Sequence, residues 1–468
     1  MKNSKLIRVL QQLNSKELRR LEQFLASPYF NQRQDVQQLF HALLPFLPAE
    51  ADVPDKKTVY HLLFPQQAFD LQGLDLLMSY LYRLVTTFLQ QEEWKLETWR
   101  RPLSLARSFR KRGLQREFKQ QMNQLRQRMD RQTLRNANYY DFQYDWLLEQ
   151  SHVHTNEHPT QPIHLTELTH SIDWSYLSTK LRHACLRSTY HSIYQVDPMR
   201  VSLLPELLQQ IEGSDYLEVP CIAVYYYCFQ MLRTPEEVTY FREFKHILFQ
   251  SAAQFSATEV RDLYLLAINY CVRQANGGKS TFLDELLELY QQGLKDGSLL
   301  SEGVLSRFTY HNVVGTSLAT GQHDWTKQFI DEYKGKVEKK YRESSYSFNR
   351  ARLAYSRQDY DGALLLLQKS NYRDPLLNLA AKTLLLKIYY EIEAFESLYS
   401  HLEAFQKYLN RKRVLGYHKT NYLNIISYTR KLLALQFFDR AEIKALRQQV
   451  QAEAVLTERQ WFLERLAP

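Results

Sequence analysis

The chain is poor in the residues that end helices and in runs that would form strands. It has 13 glycines and 14 prolines in 468 residues, whereas average usage is roughly 7% and 5%. Apolar residues recur instead at helical spacing along nearly the whole chain. This pattern argues against a fold built on β-sheets and predicts an all-α protein in which helices pack on helices.

Cysteines and long apolar runs are also scarce. No stretch approaches the roughly 18 consecutive apolar residues of a membrane span, and the first residues have no apolar run of signal-peptide length. We therefore expect a soluble, cytoplasmic protein with no membrane partner. The four cysteines form no CxxC pair and have no zinc-ligand spacing, and such scattered thiols suit a reducing compartment: Cys185, Cys221, Cys228 and Cys271.

Length and helical pattern together predict three parts. A chain of 468 residues exceeds the size at which a single core keeps growing, so it should form several domains or a solenoid. We predict an N-terminal helical cluster over residues 1–150, which includes basic helices in residues 100–135. A polar linker is expected at residues 151–163, where two prolines fall and the apolar period is lost. Residues 164–468 are expected to form an α-solenoid of antiparallel helix hairpins.

Repeats are clearest in residues 308–410. Turns between paired helices are expected at Gly321, Gln358 and Glu393, which lie 37 and 35 residues apart, near the period of about 34 residues in tetratricopeptide repeats. Small residues lie where the helices would touch, and the aromatic Tyr360 opens a second helix. This segment resembles tetratricopeptide repeats, although that family favours glycine at turns where this chain has Gln358 and Glu393. The resemblance implies stacked helix hairpins that bind another protein.

The whole chain also resembles an uncharacterised bacterial protein family of similar length. Two segments near the start carry the resemblance, Ser15–Arg19 and Ser27–Asn31. Leu63–Pro65 and the closing Trp461–Glu464 add to it. The resemblance implies an all-helical architecture and no particular activity.

No catalytic motif fits the chain. Residues 276–281 are similar to the end of a phosphate-binding loop, but Arg273 stands where an earlier glycine belongs, and residues 263–272 have a helical pattern instead of a strand pattern. We favour a helix end followed by a Gly-Gly turn. The motifs Gly-x-Ser-x-Gly and His-Glu-x-x-His do not occur. We expect no enzyme activity and no cofactor.

Five histidines crowd into residues 152–170. Imidazoles at this spacing could bind zinc, copper or nickel. A metal site needs a fixed frame, however, and this stretch is the most linker-like in the chain. We therefore favour a solvated loop for His152, His154, His158, His164 and His170.

The positive charge is concentrated in one segment. Residues 95–135 contain 13 Lys or Arg and three acidic residues, a local charge of +10, whereas the whole chain carries +9. Such a segment would attract a polyanion such as nucleic acid, or an acidic protein. Its charges also fan over the polar side of the predicted helix, as on a plain solvated face, so all three interpretations stay open. The candidate polyanion-binding residues are Arg107, Arg110, Lys111, Arg112, Arg116, Lys119 and Arg126.

The repeats and the lack of catalytic motifs favour a non-catalytic adaptor that holds a protein or peptide on a helical surface. Exposed polar residues on the first helix of each pair would make the contacts. The alternative is a regulatory protein that binds nucleic acid through residues 100–135, with an affinity that falls steeply with salt. The candidate partner-binding residues of the adaptor are Asn349, Arg352, Tyr389 and Tyr422.

Overall fold

The computed structural model describes residues 4–47, 54–157, 165–194, 201–368, 374–411, 416–435 and 440–467. It is about 80% helical, and within these ranges it has 23 α-helices, four short 3-10 helices and one two-stranded sheet. The prediction of an all-α fold is confirmed. None of the helices in these ranges combines the length and the apolar character needed to cross a membrane.

Eight helices form in the described residues up to 157. They are α1 (Lys5–Leu10), α2 (Ser15–Ala26), α3 (Gln34–Leu43), α4 (Lys56–Leu63), α5 (Leu71–Leu96), α6 (Arg100–Lys111), α7 (Gln115–Arg131) and α8 (Ala137–Glu157), with a 3-10 turn at Leu44–Phe46. Helices α1 to α5 share one buried core, to which Leu21 and Phe40 belong. Helices α6 to α8 share a second core around Phe118 and Trp146. Burial of one apolar face per helix stabilises both clusters.

The remaining helices continue to the end of the described chain. They are α9 (Leu165–Tyr194), α10 (Leu204–Glu212), α11 (Pro220–Arg233), α12 (Val238–Ser251), α13 (Ala257–Asn276), α14 (Phe282–Lys295), α15 (Arg307–Ala319), α16 (His323–Tyr333), α17 (Arg342–Ser356), α18 (Tyr360–Gln368), α19 (Pro375–Glu391), α20 (Phe395–Arg411), α21 (Gly416–Ala434), α22 (Arg440–Ala452) and α23 (Arg459–Arg465). Three further 3-10 helices lie at Asp215–Glu218, Ala252–Gln254 and Lys334–Lys336.

The small sheet is a hairpin between α14 and α15. Strand β1 (Leu300–Ser301) pairs antiparallel with β2 (Val304–Leu305). The two residues between them, Glu302 and Gly303, have φ values of 51° and 78°. Positive φ at both central positions is the geometry of the tight turn that best matches the twist of a hairpin.

Three helix pairs in the second half of the chain are joined by the same turn. The pairs are α15 with α16, α17 with α18, and α19 with α20, and the turns have positive φ at Gly321 (73°), Gln358 (62°) and Glu393 (57°). At each turn the next residue donates its N–H to a carbonyl five residues earlier, as in the bond of 2.9 Å from Asp359 to Ala354. This is the Schellman ending of a helix. The turns predicted at these three positions are confirmed.

The chain divides into two compact units. The first unit comprises Met1–Thr133 and Ala137–Tyr176, and the second comprises Leu134–Asn136 and Leu177–Pro468. The division therefore falls within α9 and not at the linker predicted over residues 151–163. Residues 151–157 continue helix α8, because no proline or glycine interrupts the helix there, and residues 158–163 lie outside the described residues.

Candidate functional site

A cleft of about 820 Å³ opens in the second unit, among helices α13, α14, α15, α17, α19 and α21. Leu286, Leu377 and Leu384 contribute to its largely apolar wall. Two further apolar side chains line it while partly exposed to solvent, Phe308 (53% exposed) and Leu376 (37% exposed). A concave site of this size with apolar walls is typical of ligand-binding sites.

Two ion pairs stand in the wall of the cleft. Arg307 Nη2 lies 2.9 Å from Asp374 Oδ2, and the same guanidinium lies 3.8 Å from the centre of the Tyr341 ring. Lys387 Nζ lies 2.9 Å from Glu458 Oε2. All four charged residues line the cleft. Because each cation has an acidic partner, these pairs add fixed polar groups to the wall without adding net charge.

Arg352 on α17 is the third cation of the cleft, and it has no such partner. Its Nη1 donates a hydrogen bond of 2.9 Å to the main-chain oxygen of His311. Within the described part of the chain, no carboxylate lies at ion-pair distance from its guanidinium, and burial lowers the pKa of Arg352 to about 10, with only the more distant charge of Glu458 opposing the shift.

Gly315 on α15 makes room for the Arg352 side chain. A Cβ atom at position 315 would lie 2.6 Å from Arg352 Nη2, closer than side-chain atoms approach one another. A side chain at position 315 would therefore require the flexible end of the Arg352 side chain to shift, and glycine in the middle of a helix costs roughly 0.5–1 kcal/mol relative to alanine.

His311 and Asn349 form a buried polar pair next to Arg352. His311 Nδ1 lies 3.1 Å from Asn349 Oδ1. In the described part of the chain His311 Nε2 and Asn349 Nδ2 have no hydrogen-bond partner, although both atoms are buried. Burial lowers the pKa of His311 to about 4, so the ring is neutral at pH 7. A buried polar group without a partner costs about 1–3 kcal/mol.

The residues predicted to bind a partner divide into two groups. Arg352 and Tyr422 line the cleft, and burial raises the pKa of Tyr422 to about 12. Tyr389 is half-buried against the core of α19 to α23 and is not among the described lining residues. The expectation that Asn349 is exposed is wrong, because it is fully buried where α17 packs against α15 and bonds to His311.

Several residues of the cleft were not predicted from the sequence. The ion pairs join Arg307 to Asp374, 67 residues later, and Lys387 to Glu458, 71 residues later. His311 and Arg352 are 41 residues apart. No local pattern marks these contacts, because only the packing of α15, α17, α19 and the start of α23 brings the residues together.

In the first unit, two of the candidate polyanion-binding residues form ion pairs with one buried glutamate. Glu149 on α8 is 4% exposed, and it accepts hydrogen bonds from Arg107 Nε at 2.6 Å and Arg110 Nε at 2.9 Å. Arg107 also lies 3.6 Å from Asp145. These arginines balance charge within their own unit, and a polyanion could recruit them only by leaving Glu149 without its partners.

Two more of these candidates have partners on their own helices. Arg126 lies 3.1 Å from Asp130, and its guanidinium lies 5.5 Å from the centre of the Trp146 ring. Arg112 is exposed and donates to the Ser108 main-chain oxygen at 3.0 Å.

The last three candidates are exposed on α6 and α7. Lys119 is exposed and already engaged in an interaction. Lys111 and Arg116 are also exposed, and among the described residues their side chains make no hydrogen bond or ion pair. The segment therefore presents fewer unengaged cations than its sequence suggests.

Two other sequence motifs remain, residues 276–281 and the histidines of residues 152–170. Residues 276–281 begin at the end of α13, and Gly278 adopts φ of 94° in the turn that follows, so the predicted helix end with a Gly-Gly turn is confirmed. No group of three or more His, Cys, Asp or Glu side chains comes together in the described ranges as metal ligands would. His158 and His164 lie outside those ranges, and the ring of His170 stacks on Trp174 with 5.4 Å between ring centres.

Comparisons of the chain with protein-family models, with curated proteins and with solved structures gave no match. A functional interpretation therefore rests on the geometry of the molecule itself.

Proposed function

We propose that the chain is a non-catalytic adaptor whose cleft in the second unit binds a segment of a partner protein. The observation that carries the proposal is the cleft of about 820 Å³, with its apolar wall, its exposed Phe308 and Leu376, and its fixed charges. Apolar contact supplies affinity at such a site, and a few placed polar groups orient what is bound.

The arrangement of the helix pairs supports the same proposal. The first helices of three successive pairs, α15, α17 and α19, all contribute residues to the cleft. They are followed by turns of one geometry at a spacing close to that of tetratricopeptide repeats. Stacked helix hairpins bind partners on the surface that such first helices share, which favours a protein segment over a small molecule as the occupant.

The cysteines support a cytoplasmic location for this adaptor. All four are free thiols and are buried, and burial raises the pKa of Cys221 to about 12, so that the thiolate does not form at pH 7. Buried free thiols suit a reducing compartment, where disulfides are rare.

The proposal is tested by blocking the cleft. Ala380 on α19 lines it and is half-buried, so Ala380→Trp would fill part of its volume. Ala404 on α20 is exposed and is not among the described lining residues, so Ala404→Trp is a matched control. Short random peptides displayed on phage are selected on the full chain, and the affinities of the selected peptides are measured by fluorescence anisotropy.

We expect selected peptides to bind the wild-type chain and the Ala404→Trp variant equally. Their affinity for the Ala380→Trp variant should be lower by about tenfold or more, which corresponds to roughly 1.4 kcal/mol. Failure to select any peptide, or equal binding to all three proteins, would contradict the proposal.

A second candidate function, binding of a polyanion such as nucleic acid, rests on the exposed and unengaged Lys111 and Arg116. Its test is binding of a single-stranded RNA homopolymer at low and high salt. This function requires that affinity fall steeply with salt and that Lys111→Glu with Arg116→Glu weaken it. These two residues suit the test better than Arg110, because reversing Arg110 would also unpair Glu149.

A further inference from the structure

The described lining of the cleft contains one more cation than carboxylates. Its described lining contains three cations, Arg307, Arg352 and Lys387, and two carboxylates, Asp374 and Glu458. The carboxylates are engaged with Arg307 and Lys387 at 2.9 Å in each case. Arg307 also has a second carboxylate nearby, that of Glu338 at 3.7 Å, which is not among the described lining residues. Of the three cations in the lining, Arg352 is the one with no carboxylate at ion-pair distance among the described residues.

The guanidinium of Arg352 also has N–H donors that are not used in hydrogen bonds among the described residues. Its Nη1 donates to the His311 carbonyl, whereas Nε and Nη2 make no hydrogen bond among the described residues. Neither atom is among the described buried polar atoms that lack a hydrogen-bond partner, and the Arg352 side chain lines the cleft. The Nε–Nη2 edge is one of the two edges through which arginine binds a carboxylate with two parallel hydrogen bonds.

We infer that Arg352 binds the carboxylate of an acidic side chain, Glu or Asp, in the partner segment held by the cleft. The inference rests on the proposed function and adds the chemistry that the cleft selects. A carboxylate would give Arg352 the kind of ion-pair partner that Arg307 and Lys387 already have. It would also replace the hydration that Arg352 gives up in a half-buried position, and a buried arginine without such a partner is unfavourable.

The side chains near Arg352 in the cleft also indicate which residues should flank the acidic residue of the partner segment. Phe308 and Leu376 line the same cleft and are 53% and 37% exposed. Apolar side chains on either side of the partner's acidic residue would cover them. The preferred segment is therefore an acidic residue flanked by apolar ones, and not a run of acidic residues.

The test uses an array of short apolar peptides in matched pairs that differ only in having Glu or Gln at one central position. Binding to the full chain is compared among wild type, Arg352→Met and Arg350→Met. Arg350 is on the same helix and lies 3.4 Å from Asp331, and it is not among the described lining residues of the cleft. Sodium hexanoate is added as a probe of a free carboxylate, with the melting temperature as readout.

We expect the Glu peptides to bind the wild-type chain about tenfold more tightly than their Gln partners. Arg352→Met should abolish this preference, and Arg350→Met should retain it. Peptides that bind wild type without a Glu preference, or a preference that survives in a folded Arg352→Met variant, would overturn the inference and leave the proposed function standing.

Two other outcomes would contradict the proposed function as well as the inference. If no peptide binds, both the inference and the proposed function fail. If no peptide binds but hexanoate raises the melting temperature of wild type and not of Arg352→Met, the site binds a free carboxylate, and the proposed peptide occupant is wrong. The Glu preference of the wild-type chain is measured without any variant, so the inference remains testable even if Arg352→Met does not fold.

Discussion

Arg352 donates a hydrogen bond of 2.9 Å to the main-chain oxygen of His311. This acceptor is a neutral carbonyl, whereas a buried arginine is ordinarily paired with a carboxylate. The neighbouring Arg307 shows the ordinary arrangement, since Asp374 lies 2.9 Å from it and is itself only 11% exposed. The two arginines of one cleft thus differ in that Arg307 has an ion-pair partner, whereas Arg352 has none among the described residues.

Replacing each of these arginines with methionine should have opposite effects on stability. Arg352→Met removes a half-buried charge without an ion-pair partner, so we expect the free energy of unfolding to rise by about 1 kcal/mol. Arg307→Met leaves Asp374 without its cation and should cost about 3 kcal/mol. Urea unfolding at pH 7 measures both. A loss for Arg352→Met as large as that for Arg307→Met would show that Arg352 has a structural role.

The two arginines that hold Glu149 should prove structural. In the double variant Arg107→Met with Arg110→Met, a carboxylate that is 4% exposed loses both of its cations. We expect the free energy of unfolding of the first unit to fall by about 3 kcal/mol. The matched control is Lys111→Met with Arg116→Met, which should change stability by no more than about 0.5 kcal/mol. Equal effects of the two double variants in urea unfolding would refute this assignment.

Glycine should stabilise the two turns with positive φ, at Gln358 and Glu393, that lack it. Gln358 and Glu393 adopt φ of 62° and 57°, a conformation that costs an L-residue with a side chain roughly 1–2 kcal/mol. We expect Gln358→Gly and Glu393→Gly each to raise the free energy of unfolding by about 1 kcal/mol.

The neighbouring Arg357 provides the control for these turns. Its φ is −94°, so Arg357→Gly gains nothing from the turn geometry, and a glycine loses more backbone entropy on folding. The variant also removes a surface ion pair with Asp324 at 2.6 Å, and exposed pairs of this kind contribute little. This variant should be less stable by about 0.5–1 kcal/mol. If thermal unfolding showed the same change for Arg357→Gly and Gln358→Gly, turn geometry would not be the cause.

Stability should depend on pH through His311. Burial lowers the pKa of His311 to about 4, below the value of about 6.5 in an unfolded chain. Between these pH values the unfolded chain binds a proton that the folded chain does not, so stability falls as the pH falls. We expect a loss of about 2 kcal/mol between pH 7 and pH 5.

The contribution of His311 is isolated by comparison with His311→Gln. Burial also lowers the pKa of His401, but that effect is common to both proteins and cancels in the difference. Urea unfolding at pH 7 and pH 5 should therefore show a smaller loss in the variant. The same loss in both proteins would mean that His311 is not the titrating group.

Local features of the fold could be predicted from the sequence, and contacts between distant residues could not. The periodicity of apolar residues gave the helices, and the spacing of Gly321, Gln358 and Glu393 gave the turns, because each of these signals lies within one helix pair. The polar composition and the two prolines of residues 151–163 favour a linker, but nothing in residues 151–157 breaks a helix, and α8 continues through them.

The candidate sites depend on ion pairs and hydrogen bonds between residues that are distant in the sequence, and composition does not reveal these contacts. The charge of residues 95–135 was visible in the sequence, whereas the engagement of Arg107 and Arg110 with Glu149, 42 and 39 residues away, was not. The sequence marks Arg352 as a contact residue, but it does not show that the guanidinium bonds to the main-chain oxygen of His311 and has no carboxylate at ion-pair distance among the described residues. Asn349 was placed on the wrong side of α17 because the helix has polar residues on more than one side.

Hydrogen–deuterium exchange of the full chain, with and without a saturating concentration of the tightest selected peptide, tests the central claim most directly. Binding in the cleft should slow exchange of backbone amides in α15, α17 and α19, which supply its walls, and leave α6 and α7 unchanged. Slower exchange in α6 and α7 instead, or no change in α15, α17 and α19 with the peptide bound, would contradict the assignment of the cleft as the binding site.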